Sequence, residues 1–161
     1  MRNLSGERGI SRVALVCIIA ASVAGLAVIT TVLAAIALPQ YNKQLMAARE
    51  VAAIQSIRTL HAAETQYYSQ YAKYATLPQL GPPANGAPGL EGADLIPKDL
   101  ADGKKSGYVF GITVSPQGYS IHAEPDEFGS SGRRTFFSDQ TFVLHQNWTA
   151  EPADANSAEI K

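Results

Sequence analysis

Three histidines and one short acidic stretch hold the side chains that could do chemistry. His61, His122 and His145 are widely separated, and no serine or cysteine in a recognisable nucleophile setting accompanies them. The stretch HAEPDE, residues 122–127, gathers one imidazole and three carboxylates, a combination that would suit a metal ion. Its spacing specifies no cage of six to eight oxygen ligands, however, and Pro125 interrupts the alternation of a strand. We therefore predict structural or surface roles for these side chains, with no catalytic residue, no cofactor and no metal.

The elements that would carry these residues begin with a long apolar segment. Residues 13–38 contain no charge and no proline. As a helix this segment would be about 39 Å long, enough to cross a hydrocarbon core of about 30 Å and too long for the apolar region of a cleaved secretory signal. Arg2, Arg8 and Arg12 precede it against a single acid. The positive-inside rule therefore places residues 1–12 in the cytoplasm and the rest of the chain outside.

The residues beyond the apolar segment have the composition of one small domain without disulfides. Thirteen acidic and ten basic side chains follow residue 38, and the basic ones are scattered, which argues against a nucleic-acid partner. The single cysteine, Cys17, lies within the apolar segment. The outer domain therefore has to be held together by packing alone.

A second helical pattern follows Pro39 and extends to about residue 75. Mostly apolar side chains recur at three- and four-residue spacing, the pattern of a helix with one buried stripe: Ile54, Ile57, Leu60, Glu64, Tyr67, Tyr71 and Tyr74. No turn residues accompany Pro39, so we expect residues 39–75 to continue the preceding helix, with a kink at the proline near the outer membrane interface. The two segments together would form one helix of about 60 residues.

The C-terminal half has the pattern of a loop followed by strands. Residues 76–106 are rich in Pro, Gly, Asn and Asp, which predicts a long loop with one helical turn near residues 97–101. Residues 107–146 hold strand patterns at GYVFGITV and GYSIHAE, joined by a turn at residues 115–117. The stretch RTFFSDQTFVLH predicts a hairpin that bends at residues 138–140.

The last residues, 147–161, are mostly polar or small, and we expect them to form a flexible tail. The predicted fold is therefore α+β. A long N-terminal helix, membrane-spanning in its first half and amphipathic in its second, would pack on a small antiparallel sheet of three or four strands. The striped face of the helix is the obvious apolar partner for the sheet.

Four stretches of the chain carry a family resemblance: AAIALPQY at residues 34–41, AREVAAIQSIRTLHAAETQYYSQY, KSGYVFGITV and RRTFFSDQTFVLH. Together with the order of the elements, they resemble the type IV pilin superfamily, which includes the pseudopilins of type II secretion. The resemblance implies a structural subunit of a pilus or pseudopilus, in which apolar helices pack side by side after leaving the membrane and the heads form the outer surface. The many small residues within 13–38 would allow this close approach of helices.

The same resemblance implies processing of the N-terminus, with departures from the family pattern. Family precursors are cut after a glycine that follows a basic leader, and the new first residue is methylated, which implies cleavage after Gly9 with Ile10 as the first mature residue. Ala14 then stands where the family has an assembly glutamate. Alignment on Pro39 would instead make Ile18 the first residue and would put a serine at the glutamate position. The missing carboxylate favours a minor or divergent subunit, since in the family it meets the N-terminal amine of a neighbour.

The resemblance also implies partners, a location and one candidate ligand set. The partners would be other pilin-like subunits, the inner membrane, a prepilin peptidase and an assembly platform, with the C-terminal domain in the periplasm or on an extracellular filament. Some pseudopilins bind calcium in a loop near the sheet, and the candidate ligands here would be Glu124, Asp126, Glu127 and Asp139.

An alternative hypothesis keeps the scaffold and removes the filament. Residues 35–37 form an A-x-A pattern at the outer end of the apolar segment, and cleavage after Ala37 would release a soluble product. The chain would then be a membrane-anchored or secreted binding domain that does not polymerise.

Overall fold

The computed structural model describes residues 12–160, with the side chains of residues 15, 17 and 40–160. In the part of the chain whose side chains are described, no helix has both the length and the apolar character needed to cross a bilayer. The predicted membrane span at residues 13–38 lies outside that set, apart from its members at positions 15 and 17. The span therefore stays a prediction.

Helix α1 is shared by the two compact units into which the chain divides, Met1–Tyr41 and Asn42–Lys161. The helix is Arg12–Tyr71, and Pro39 lies within it. It ends slightly before the predicted residue 75 because Ala72 adopts a left-handed conformation with φ of 54°. The backbone N–H of Ala72 still closes the last helical turn.

In the second unit, α1 buries one stripe of side chains against the sheet. The buried members recur at three- and four-residue spacing: Ala53, Ile57, Leu60, Glu64 and Tyr67. The predicted stripe is confirmed at its centre, and its outer members Ile54, Tyr71 and Tyr74 pack against the core from the side. Removing such apolar surface from water contributes about 25 cal/mol per Å², which holds this half of the helix on the sheet.

The segment between α1 and the sheet holds two single-turn helices, α2 (Leu77–Leu80) and α3 (Lys98–Ala101). Helix α3 coincides with the helical turn that the sequence predicts. Helix α2 was not predicted, because four residues are too few to show a helical period. The side chain of Gln79 accepts the Thr76 N–H at 3.0 Å, and Leu80 is fully buried, so a cap and one apolar anchor stabilise this turn.

The sheet has six antiparallel strands that follow one another in sequence order. They are β1 (Lys104–Lys105), β2 (Tyr108–Ser115), β3 (Gly118–Pro125), β4 (Thr135–Asp139), β5 (Leu144–Asn147) and β6 (Ala158–Glu159). The predicted α+β class and antiparallel sheet are confirmed. The predicted three or four strands fall short of six because β1 and β6 are two residues long, too short for an alternating pattern.

The two hairpins differ in how well the sequence predicts their turns. Ser115 pairs with Gly118, so the β2–β3 turn lies where it is predicted. The β4–β5 connection comes later than predicted, since β4 continues through Asp139 and Ser138 still pairs with Leu144. Its unusual residue is Phe142, which has φ of 65° and a ring that stays largely exposed.

The C-terminal residues return to the sheet and do not form the flexible tail that we predict for residues 147–161. Strand β6 pairs with β5, and the Ile160 N–H donates to the Leu144 carbonyl at 2.8 Å. Ala153 is 1% exposed, and Ile160 packs against the core. The two apolar anchors are isolated among polar residues, and isolated residues carry no periodic signal, which explains the error.

Candidate functional site

The four predicted calcium ligands lie at two ends of the sheet. Glu124 is on β3, and Asp126 follows that strand and pairs with Lys104 at 3.0 Å. Glu127 comes next, and its carbonyl accepts N–H groups of the following turn. Asp139 pairs with a residue near the start of β3, so about four residues, or roughly 13 Å, separate it from Glu124 along the sheet. Among the side chains that the structure describes, no group of three or more metal-ligating residues is present.

His122 and His145 lie on the outer face of the sheet, on either side of Phe137. Their ring centroids are 5.1 Å and 6.0 Å from the phenylalanine ring. The Nδ1 atom of His145 donates to the Ser157 carbonyl at 2.8 Å, which fixes one ring nitrogen. One strand separates the two histidines, so their backbones are about 9–10 Å apart, and the Phe137 ring lies between their side chains.

His61 is buried between α1 and the sheet, and both of its ring nitrogens are hydrogen-bonded. The Tyr119 hydroxyl lies 2.6 Å from Nδ1, and Ser138 Oγ lies 2.8 Å from Nε2. Ser138 donates its proton to the Val143 carbonyl at 2.7 Å. The network therefore assigns the proton of His61 to Nε2, which donates to Ser138, while Tyr119 donates to Nδ1.

This network holds His61 in its neutral form. Burial lowers the pKa of His61, and the negative charge of Asp139 offsets that effect only in part. Burial also raises the pKa of Tyr119 above its usual range, which keeps its hydroxyl a donor. The outcome is a satisfied polar link from α1 to the β4–β5 hairpin, a more specific role than the structural one that the sequence predicts.

Glu64 is a fully buried carboxyl with one unsatisfied oxygen. Its Oε2 accepts the Ala75 N–H at 3.0 Å, and among the described residues nothing hydrogen-bonds to Oε1. Desolvation raises the pKa of Glu64 to about 7, since the single hydrogen bond from Ala75 compensates only partly. The protonation of the Glu64 carboxyl is therefore linked to the chain reversal that follows α1, because the Ala75 N–H in that reversal donates to its Oε2.

Glu50 and Arg134 form a second link, an ion pair at the start of β4. Arg134 Nε donates to Glu50 Oε2 at 2.8 Å, and the backbone N–H of Arg133 donates to Oε1 at the same distance. Arg134 also donates to Gln146 Oε1 at 2.8 Å. Its guanidinium lies 5.1 Å from the ring centroid of Trp148, so it is held from several sides.

One face of α1 in the second unit is not covered by the sheet. Ala48 and Val51 lie on it, on the side of the helix opposite to the buried stripe, and Leu45 lies at its margin, where it also lines a groove with Gly129 and Ser130. The side chains of Leu45 and Val51 are 36% and 54% exposed. We call these three residues the free face of α1. Their exposure leaves this face open to a partner.

The sequence prediction missed the two polar links and the free face. Glu50 and Arg134 are far apart in the chain, as are His61 and Ser138, so no local spacing could pair them. The exposed apolar residues of the free face are visible in the sequence but look like part of the general helical pattern. The predicted processing residues Gly9 and Ile10 lie outside the described residues. Pro39 lies within α1, and the kink predicted there stays a prediction.

Residues 40–160 therefore combine an α+β unit braced by polar links with an uncovered helix face. The cluster of His61, Tyr119 and Ser138 is buried, and its members are hydrogen-bonded to one another and to the Val143 carbonyl. No family model, curated protein or solved structure matches this chain.

Proposed function

We propose that this chain is a pilin-like structural subunit of a type IV pilus or a type II secretion pseudopilus, assembling through its N-terminal apolar helix. Residues 13–38 span the inner membrane before assembly, with the N-terminus in the cytoplasm. The helix kinks at Pro39, and the head stands in the periplasm or on the outside of the filament. Other pilin-like subunits, a prepilin peptidase and an assembly platform are its partners.

The free face of α1 is the observation that carries this proposal. A membrane anchor that only tethers a domain has no need for apolar side chains on the part of the helix that stands outside the membrane. Leu45 and Val51 nevertheless expose about a third to a half of their surface there. In a filament this face would be covered by the helices of neighbouring subunits, as residues 13–38 would be.

A minor or divergent subunit fits the sequence better than a major one. Cleavage after Gly9 leaves Ala14 at the position of the assembly glutamate, and alignment on the proline leaves Ser22 there. Neither side chain can offer a carboxylate to the N-terminal amine of a neighbouring subunit. Such a subunit would prime or cap a filament that other pilin-like chains elongate.

The N-terminus of the mature chain tests the processing step. Co-expression with a prepilin peptidase should give a membrane-bound chain that begins at Ile10 and is methylated, as measured by mass spectrometry. Gly9→Val should block this cleavage, whereas Gly6→Val, a change at the other glycine of the leader, should leave it intact. A chain that still begins at Met1 and never enters sheared filaments would contradict the proposal. A soluble extracellular product that begins at Leu38 would establish the secreted alternative.

Assembly through the free face is tested separately. Val51→Glu places a charge on that face and should lower recovery of the chain in sheared filaments, or in pseudopili, while its level in the membrane stays unchanged. Leu90→Glu is the matched control, because Leu90 is 44% exposed, close to the 54% of Val51, but lies in the loop before the sheet. Equal recovery of the two variants would refute a role for the free face.

A further inference from the structure

Strand β2 has one free edge over most of its length. Strand β1 pairs with only its first two residues, and the Phe110 N–H donates to the Gly103 carbonyl at 2.8 Å. Backbone groups of alternate residues point to the same side of a strand, so those of Ile112 and Val114 point the same way as those of Phe110. In the part of the chain that the structure describes, no backbone group pairs with them. We call residues 111–115 the free edge of β2.

The free edge lacks the features that usually keep sheet edges apart. Natural edge strands commonly carry lysine, proline or a bulge that prevents pairing with another strand. Strand β2 has no charged residue and no proline. Gly111 and Thr113 are exposed, and the side chain of Val114 is 37% exposed. The edge is therefore accessible and compatible with a second neutral strand.

We propose that two copies of this chain pair antiparallel through their free edges, with Thr113 of one copy opposite Thr113 of the other. The edge is complementary to itself about this point. Ile112 of each copy meets Val114 of the other, and each of these residues presents an outward N–H and C=O. The contact is isologous and closes on two copies. It extends no further than residues 111–115, because Gly103 and β1 occupy the next positions along the strand.

The charges at the two ends of the free edge suit this arrangement. Lys73 lines a groove together with Val114 and Ser115, at one end of the edge. Asp102 directly precedes Gly103, at the other end, and forms an ion pair with Lys98 at 2.8 Å, so that end presents a neutral pair. Antiparallel pairing places the two Lys73 side chains at opposite ends of the contact. Parallel pairing would place them side by side.

A cysteine cross-link tests the predicted register, whether or not the chain forms filaments. Thr113 would form a pair without backbone hydrogen bonds between its two copies, in which Cα atoms are about 4.5 Å apart, within the range of a disulfide. The full-length chain in mild detergent, with Cys17→Ser to remove the native thiol, should form a T113C disulfide dimer under mild oxidation. Reduction of the disulfide before electrophoresis should return the dimer to monomer.

The matched control is V109C in the same Cys17→Ser background. Val109 is also exposed on β2, but β1 covers its edge, so this cysteine should stay unpaired. Association through the apolar segment alone would bring both cysteines together equally often. Equal cross-linking of T113C and V109C, or no cross-linking of T113C, would overturn the proposal.

Charge substitutions provide a test without a disulfide. T113E and T113K each place like charges directly opposite each other in the pair, and should weaken self-association by about fivefold. Mixing differently tagged T113E and T113K chains should restore association between them, since unlike charges then meet. A chain that pairs in this way but is never recovered in filaments would count against the proposed function and not against this pairing. Failure of the mixed chains to associate more than either chain alone would refute the register.

Discussion

Replacement of Glu64 by glutamine should remove a pH dependence of stability that this buried carboxyl imposes on the fold. Glu64 is completely buried, with one hydrogen bond to Oε2 from Ala75. Burial raises its pKa from 4.5 to about 7, because desolvation disfavours the carboxylate more than the hydrogen bond favours it. Glutamine has nearly the same shape and keeps an oxygen for the Ala75 N–H, but it does not ionise.

The folded chain holds the Glu64 proton more tightly than the unfolded chain does. From pH 4.5 to about 7, the unfolded state has released this proton while the folded state retains it, so the free energy of unfolding falls as the pH rises. The stabilisation is complete below pH 4.5 and is lost as the pH rises through about 7. The difference between the two pKa values corresponds to about 3 kcal/mol. Typical domains have a stability of about 5–15 kcal/mol, so the loss should be easily measured.

Urea unfolding of the full-length chain in mild detergent, followed by near-ultraviolet circular dichroism at a series of pH values, measures this loss. His61 acts in the opposite direction: burial lowers its pKa, so its contribution is lost as the pH falls below 6.5. Subtracting the E64Q values from those of the wild type at each pH cancels that contribution. Glu127→Gln, at an exposed carboxyl, should retain the wild-type profile. An E64Q chain with the wild-type profile would refute the assignment.

Two further changes test the packing of the head by the same unfolding measurement. Arg134→Met leaves the Glu50 carboxylate buried without its cation and should lower the free energy of unfolding by about 3 kcal/mol. Adding Glu50→Gln should recover part of that loss. Strictly additive effects would show that the pair is not coupled. Gly132→Ala places a methyl group on the Tyr108 hydroxyl and should cost about 2 kcal/mol, whereas Gly111→Ala meets open space and should change stability by less than about 0.5 kcal/mol. Equal effects of the two alanines would contradict the steric argument.

The regular parts of the fold are predictable because their patterns are local. The buried stripe of α1 follows from apolar side chains at helical spacing, including Ile57, Leu60 and Tyr67. The β2–β3 hairpin follows from two alternating segments around a proline-containing turn. Strand β6 could not be predicted, because it exists only where the chain end meets an edge that β5 has already formed. Two residues carry no strand signal of their own.

The polar links of the head depend on tertiary contacts, which local patterns do not record. Glu64 occupies a stripe position, so its burial is predictable, but its unsatisfied oxygen depends on which backbone groups surround it. Arg134 begins the stretch that predicts a hairpin, and no local pattern shows that it packs between Glu50 and Trp148. Buried charges of this kind are costly unless every neighbour is in place, and that arrangement is a property of the whole fold.

His61 and Ser138 show why distance alone is a poor guide to chemistry. A serine oxygen 2.8 Å from an imidazole nitrogen has the spacing of a nucleophile and its base. The proton of Ser138 is donated to the Val143 carbonyl, however, and its side chain is fully buried. To attack a substrate, Ser138 would have to leave that carbonyl without a donor, at a cost of about 1–3 kcal/mol, and the β4–β5 hairpin would have to open. The hydrogen-bond order therefore favours a link that holds α1 to the hairpin.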